Sequence, residues 1–133
     1  MIEIMDTTLR DGEQTSGVSF SLQEKLSVTR LLLDMGVNRI EIASAKVSEG
    51  EFLTVQKITG WAKSAGHLEK LEILGFVDNG ISLEWIESAG CKTINLLTKG
   101  SLKHVTEQLR KTPEQHLSDI KRDITLAHSM GIT

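Results

Sequence analysis

Hydrophobic positions along this chain fall into two alternating patterns. Short runs rich in Ile, Val and Leu occupy residues 2–5, 37–43, 71–76 and 92–97. Runs of that length and composition predict strands. The longer stretches between them carry apolar residues at helical spacing. The first predicted helix begins at Ser21, with Glu24 three residues on. That is a capping box, in which each side chain satisfies a free backbone N–H of the first turn. Val28, Leu31, Leu32 and Met35 then fall on one face and are expected to point inward. A second helix is predicted over 48–64, with Phe52, Val55 and Ile58 on its apolar side, and a short third over 82–88. The fourth starts near Pro113, a residue suited to a first helical turn. Leu117, Ile120, Ile124 and Ala127 are its expected inward face.

A repeat punctuates the helix ends. Met35-Gly36-Val37, Ala65-Gly66, Ala89-Gly90-Cys91 and Met130-Gly131-Ile132 each put a small or apolar residue before a glycine, with a strand close behind. Glycine reaches the left-handed conformation that stops a helix at little steric cost. The order is therefore β-α-β-α-β-α-β-α, which implies a parallel sheet with right-handed crossovers. Ile132 and Thr133 follow the last glycine, where a fifth strand is expected to start. An open doubly wound sheet and a closed barrel both fit that alternation. The first strand-to-helix turn is long and polar and lacks Gly-x-Gly-x-x-Gly, which argues against a dinucleotide fold. A (β/α)8 TIM barrel needs eight units over typically ~250 residues. The expected fold class is thus α/β, the first four βα units of such a barrel. Residues 1–133 would be the N-terminal half of a catalytic barrel domain, cut as strand five begins.

Composition adds exclusions. The 133 residues carry a net charge of −3 and no basic run, so nucleic acid is not an expected partner. No apolar segment approaches the ~18 residues of a membrane span, and the N-terminus lacks the regions of a signal peptide. The single cysteine, Cys91, forms no internal disulfide, in keeping with a reducing, cytoplasmic setting. Cys91, Trp61 and Trp85 read as core packing. His67, His104, His116 and His128 have no metal-site spacing.

The chemistry concentrates in residues 7–20, TTLRDGEQTSGVSF, the loop after the first strand. Such loops form the catalytic face of a barrel. Asp11 offers a hard oxygen ligand for a divalent cation. Arg10 offers forked donors for a carboxylate, an oxyanion or an enolate. Gly12 is expected to let the backbone turn sharply beside them. Taken alone, an adjacent Arg-Asp pair is more often a surface turn than a catalytic one.

Leu9-Arg10-Asp11-Gly12-Glu13-Gln14, ten further residues and then Lys25 resemble the first signature of the 2-isopropylmalate, homocitrate and citramalate synthases. Asp6-Thr7-Thr8, Arg39-Ile40-Glu41-Ile42 and Asn95-Leu96-Leu97-Thr98-Lys99-Gly100 extend the resemblance over essentially the whole chain. It implies a metal-dependent Claisen condensation of acetyl-CoA with a 2-oxo acid, in branched-chain amino-acid biosynthesis. By that pattern Asp11 is a metal ligand (for Mn, Mg or Zn), Arg10 stabilises developing negative charge and binds substrate, and Glu41 helps position the site. Leu74 sits where many 2-isopropylmalate synthases carry an arginine, and Asn95 where many carry a histidine. The chain is similar instead to the citramalate synthase branch, in which leucines at the positions of Leu74 and Leu97 face the alkyl group of the 2-oxo acid. Both leucines can equally be barrel core. Pyruvate and 2-oxoisovalerate, giving (R)-citramalate or 2-isopropylmalate, both remain open. Lys99-Gly100-Ser101 could meet a CoA phosphate or be only a turn.

The family's His-x-His metal pair does not occur in these residues. The 133-residue chain alone is therefore expected to be inactive, and the full-length protein to be a homodimer. Apolar edges are expected where the first and fourth strands meet no neighbour. Two other readings stand beside the synthase. One is a non-catalytic half-barrel that binds another chain. The other is a carbon–carbon lyase like the 3-hydroxy-3-methylglutaryl-CoA lyases.

Overall fold

A computed structural model describes residues 2–133. Its strands are β1 (Met5–Asp6), β2 (Arg39–Ser44), β3 (Leu71–Phe76) and β4 (Ile94–Leu97), and its helices α1 (Leu22–Asp34), α2 (Glu49–Ala65), α3 (Ile81–Ser88) and α4 (Pro113–Ser129). All neighbouring strands are parallel and their spatial order is β1-β2-β3-β4. Each crossover steps one place in the same direction, with none of the reversal that marks a doubly wound sheet. This is the first half of a TIM barrel. At the far edge the Thr133 amide donates to the Lys92 carbonyl, and the Thr133 carbonyl accepts from the Ile94 amide. That is the bonding unit of a parallel strand laid beside β4.

Helix boundaries follow their caps. The Ser21–Glu24 box begins α1, and Thr112 with Gln115 forms a second box ahead of Pro113. The four glycines expected at helix ends, Gly36, Gly66, Gly90 and Gly131, all have positive φ. On β3, a Cβ added to Gly75 would lie 2.5 Å from Cδ1 of Ile94. The missing side chain is what lets β3 and β4 close over the core.

The sheet divides the chain chemically. Ile40, Ile42, Leu71 and Ile73 pack under the helices with Val55, Ile58, Leu83, Ile86 and Cys91, all at most 2 % exposed. Trp85 meets Phe52 edge-on, and the Arg30 guanidinium lies over Trp61, so both tryptophans are packing residues. Register fixes the other face: Glu41 pairs with Glu72, Ser44 with Leu74, Leu74 with Asn95 and Phe76 with Leu97. That polar and mixed face is the interior of the barrel.

Three expectations are corrected. First, β1 is two residues, not 2–5. Ile2 and Ile4 lie exposed because this edge strand pairs on one side only, and Ile4 is held by its carbonyl, which accepts from Asn38 and Arg39. Second, α1 buries Lys25, Thr29 and Leu33, while Leu31 and Met35 are exposed. Third, α4 buries His116, Asp123 and Ala127, while Leu117 and Ile124 are exposed. Lys25, His116 and Asp123 occupy the inward stripes because each satisfies a loop, while the Thr29 hydroxyl donates to the Lys25 carbonyl of its own helix. The Asp123 carboxylate accepts from the Asp78 and Asn79 amides, and His116 Nε2 accepts from the Lys99 amide.

Candidate active site at the mouth of the half-barrel

The loop after β1 is built around two anchors. Asp6 accepts from the Thr8 amide and hydroxyl, and the Thr7 carbonyl accepts from the amides of Arg10, Asp11 and Gly12. Leu9 is fully buried. With Leu9 pinned inward and the backbone wound about the Thr7 carbonyl, Arg10 is directed over the barrel mouth. Gly12 opens a short 3-10 turn, Gly12–Gln14. A Cβ there would meet only Thr8, at 3.6 Å, so the turn does not require a glycine, contrary to expectation. Gly17, at φ 82°, is the residue of this loop that uses left-handed backbone.

Arg10 joins two elements. Its Nε donates to Glu41 Oε2 at 2.6 Å and its Nη1 to Asp11 Oδ1 at 3.1 Å. The other oxygen of Glu41 accepts from Asn95 Nδ2 at 2.7 Å. Glu41 is fully buried, with both oxygens occupied. A buried carboxylate needs such partners, and here they come from the first loop and from β4. Of the expected site residues, Arg10, Asp11 and Glu41 are therefore in one bonded set. Asn95, noted only as a departure from a pattern, completes it.

Leu74 lies beside Asn95 on the same face and is 7 % exposed. Leu97, two residues along β4, is 43 % exposed. A cleft of about 270 Å³ is lined by Arg10, Glu13, Gln14, Ser44, Val47 and Glu51, with Leu9 and Ala43. A larger groove of about 450 Å³ lies between α2 and α3, around Gln56, Lys63 and Lys92. It opens at the other end of the strands, away from Arg10.

Deeper in the interior, Glu72 pairs with Arg39. Burial pushes the Glu72 carboxyl up, more than Arg39 pulls it back.

The first loop has a further tie that composition does not reveal. Lys25, 1 % exposed, places its Nζ 2.6 Å from Glu13 Oε2 and 2.6 Å from Glu51 Oε1. Along Lys99-Gly100-Ser101, the Lys99 amide donates to His116 Nε2, and the Ser101 hydroxyl oxygen accepts from the His104 amide at the start of the short helical segment that follows.

The second and third loops are also joined. Lys46 Nζ lies 2.7 Å from Asp78 Oδ2, and Asp78 accepts from the Ser82 amide and hydroxyl. Burial raises the Asp78 carboxyl, but Lys46 and Ser82 together outweigh it and hold it below the usual carboxylate range. In that range the unfolded chain binds more protons than the folded one. The stability Asp78 contributes is then complete above its ordinary value and is lost as pH falls through the folded value. Asp78→Asn is expected to be less stable at neutral pH and to show a shallower acid loss, read from urea midpoints across the acid limb.

Metal chemistry has a partial fit. Asp11, next to Arg10 in the first loop, carries a largely exposed carboxylate bonded to protein through one oxygen only, which suits a single hard-cation ligand. Among the described residues no group of three or more His, Cys, Asp or Glu gathers for a metal. Asp11 can supply one ligand of a site and not the whole of it.

Comparison with known proteins bears on what this constellation is for. A family model described as HMGL-like matches residues 1–133. The chain is 33% identical to 2-isopropylmalate synthase of Saccharolobus solfataricus over 132 residues, 98% of this chain and 33% of that one. It is 33% identical to (R)-citramalate synthase of Methanocaldococcus jannaschii over 133 residues, 99% of this chain and 26% of that one. The chain thus spans about a quarter to a third of these curated relatives. Among solved structures it is similar to an HMG-CoA lyase of Brucella melitensis, with TM-score 0.66 and 20% identity, over 99% of this chain and 46% of that one. At that identity the likeness concerns the fold.

Proposed function

Because the chain belongs to the HMGL-like family over its whole length, we propose that it forms the first four units of a synthase that condenses acetyl-CoA with a 2-oxo acid. The 2-oxo acid is 2-oxoisovalerate or pyruvate, and the product 2-isopropylmalate or (R)-citramalate. The observation that carries this reading is the Arg10–Glu41–Asn95 set beside Asp11, on a chain about a third identical to synthases of both names.

A proton leaves the acetyl methyl group, and the resulting carbanion forms a carbon–carbon bond to the keto carbon. The keto oxygen takes up negative charge and then a proton, and water cleaves the thioester to release CoA. Arg10 uses Nε on Glu41 and Nη1 on Asp11. A guanidinium has five N–H donors, so three remain to meet a carboxylate or the developing oxyanion. Glu41 does not react in this scheme. It fixes the plane of the guanidinium, and Asn95 fixes Glu41. Asp11 would hold a divalent cation together with ligands from further along a longer chain; the cation supplies Lewis-acid polarisation of the ketone. Leu74 and Leu97 would face the alkyl group. Methyl and isopropyl differ by only two carbons, each worth about 0.8 kcal/mol on burial, so burial against these leucines does not decide between the two acids.

The test is thiol release by the protein expressed from its complete reading frame, with acetyl-CoA and each 2-oxo acid in turn. Release with either supports the synthase. Release with neither, together with cleavage of 3-hydroxy-3-methylglutaryl-CoA, overturns it in favour of a lyase. The 133-residue chain alone is expected to give no turnover.

A further inference from the structure

We infer that Lys25 is a positioning residue: through Glu13 it holds the loop that carries Arg10 and Asp11 in the orientation the Arg10–Glu41 bond requires. The inference rests on the proposed reading only in treating Arg10 and Asp11 as the site.

The geometry comes from three elements. Lys25 lies in the first turn of α1, with its amide donating to the Ser21 carbonyl. Helical side chains tilt toward the N-terminus, so its ammonium reaches back out of the helix toward the first loop. There it meets Glu13 Oε2. On the other side it meets Glu51, in the first turn of α2, whose amide is capped by Ser48. The capping box of Ser21 and Glu24 sets where α1 begins, and so where Lys25 points.

Glu13 transmits the hold in two directions. Its Oε1 accepts from the Phe20 amide at 2.9 Å, closing the loop from 13 to 20 upon itself. Its backbone belongs to the 3-10 turn that Asp11 caps, and the Asp11 carbonyl accepts from the Gln14 amide. A shift of Glu13 therefore moves Asp11 and its neighbour Arg10. Ten residues separate Gln14 from Lys25, the span of this closed loop and its cap. A buried ammonium is a costly way to stabilise a helix face that a leucine could fill. Fastening one loop to two helices is a task that needs its charge.

The test reads geometry on this chain and not turnover, so its failure is distinct from a failure of the assigned reaction. In the ¹⁵N-labelled protein expressed from its complete reading frame, the Arg10 Nε–H bonded to Glu41 is expected to exchange slowly with solvent. Glu13→Gln leaves Lys25 paired with Glu51 and so spares the core. It is expected to speed exchange of Arg10 Nε–H, and of the Asp11 and Gly12 amides, by at least about tenfold, the signature of local opening. The Ile40 and Ile73 amides should be unchanged. Lys25→Arg, which can still span both carboxylates, should retain slow exchange at Arg10, and Glu51→Gln should leave the loop protected. An unchanged Arg10 Nε–H in Glu13→Gln overturns the inference. So does an even loss of protection over the whole chain, or a loop opened equally by Glu51→Gln.

Discussion

Replacing Lys25 by methionine is expected to lower the unfolding free energy of this chain by about 3 kcal/mol, the low end of the range for removing one member of a buried ion pair. The low end applies because Glu13 and Glu51 are 27% and 16% exposed and can regain some solvent. The substitution nearly conserves volume, so the loss comes from charge. Two carboxylates that now share one ammonium would face each other with none. Against a typical total of about 5–15 kcal/mol, this is a large share, and it should appear as a clear drop in the urea midpoint. Adding Glu13→Gln and Glu51→Gln to Lys25→Met should restore most of the loss, since a buried charge cluster can be replaced by neutral groups at little net cost. A fully stable single variant would mean that the cluster contributes nothing to folding.

That expectation also explains where the sequence misleads. Alternation of short apolar runs with helical spacing, the Ser21 cap and the glycine-terminated helices were all readable, because each is decided by residues within a few positions of one another. The inward faces of α1 and α4 were not. A hydrophobicity pattern scores Lys25, Thr29, His116 and Asp123 as polar and turns each helix so that Leu31 or Leu117 points in. The structure turns them the other way because three of those polar groups have partners elsewhere in the chain: Glu13 and Glu51 for Lys25, Lys99 for His116, and Asp78 and Asn79 for Asp123, while the Thr29 hydroxyl bonds the Lys25 carbonyl of its own helix.

These misreadings share one cause. Three βα loops are fastened from below by a buried polar side chain of a helix, and the second loop is tied to the third through Lys46 and Asp78. The site residues divide in the same way. Arg10 and Asp11 are visible as neighbours, and Glu41 through a resemblance. That Asn95 occupies the second oxygen of Glu41, across 54 positions of sequence, is visible only in three dimensions. The face of this half-barrel that carries the candidate site is therefore organised by contacts within the chain itself, and these are polar contacts that no periodicity encodes.

On the proposed reaction, Arg10→Ala in the full-length enzyme should lower kcat by about 10²–10³-fold, the usual cost of losing a donor to a developing oxyanion. KM for the 2-oxo acid should change less. The reason lies in the division of labour within the guanidinium. Nε is fixed by a buried carboxylate that Asn95 itself fixes, so the plane of the fork is set in the resting enzyme. Donors held in place ahead of reaction cost no reorganisation when charge appears. Arg10→Lys keeps the charge but loses the fork. One ammonium cannot bond Glu41 and Asp11 in their present geometry and still meet the substrate oxygen, so lysine should recover only a small part of the rate. Asn95→Leu offers the complementary measurement. It leaves Arg10 in place but strips Glu41 Oε1 of its partner, and should lower kcat while leaving the charge at the cleft unchanged. If Arg10→Ala raised KM alone with kcat intact, Arg10 would be holding the ground-state carboxylate and not the transition state, and the oxyanion role would pass to another group.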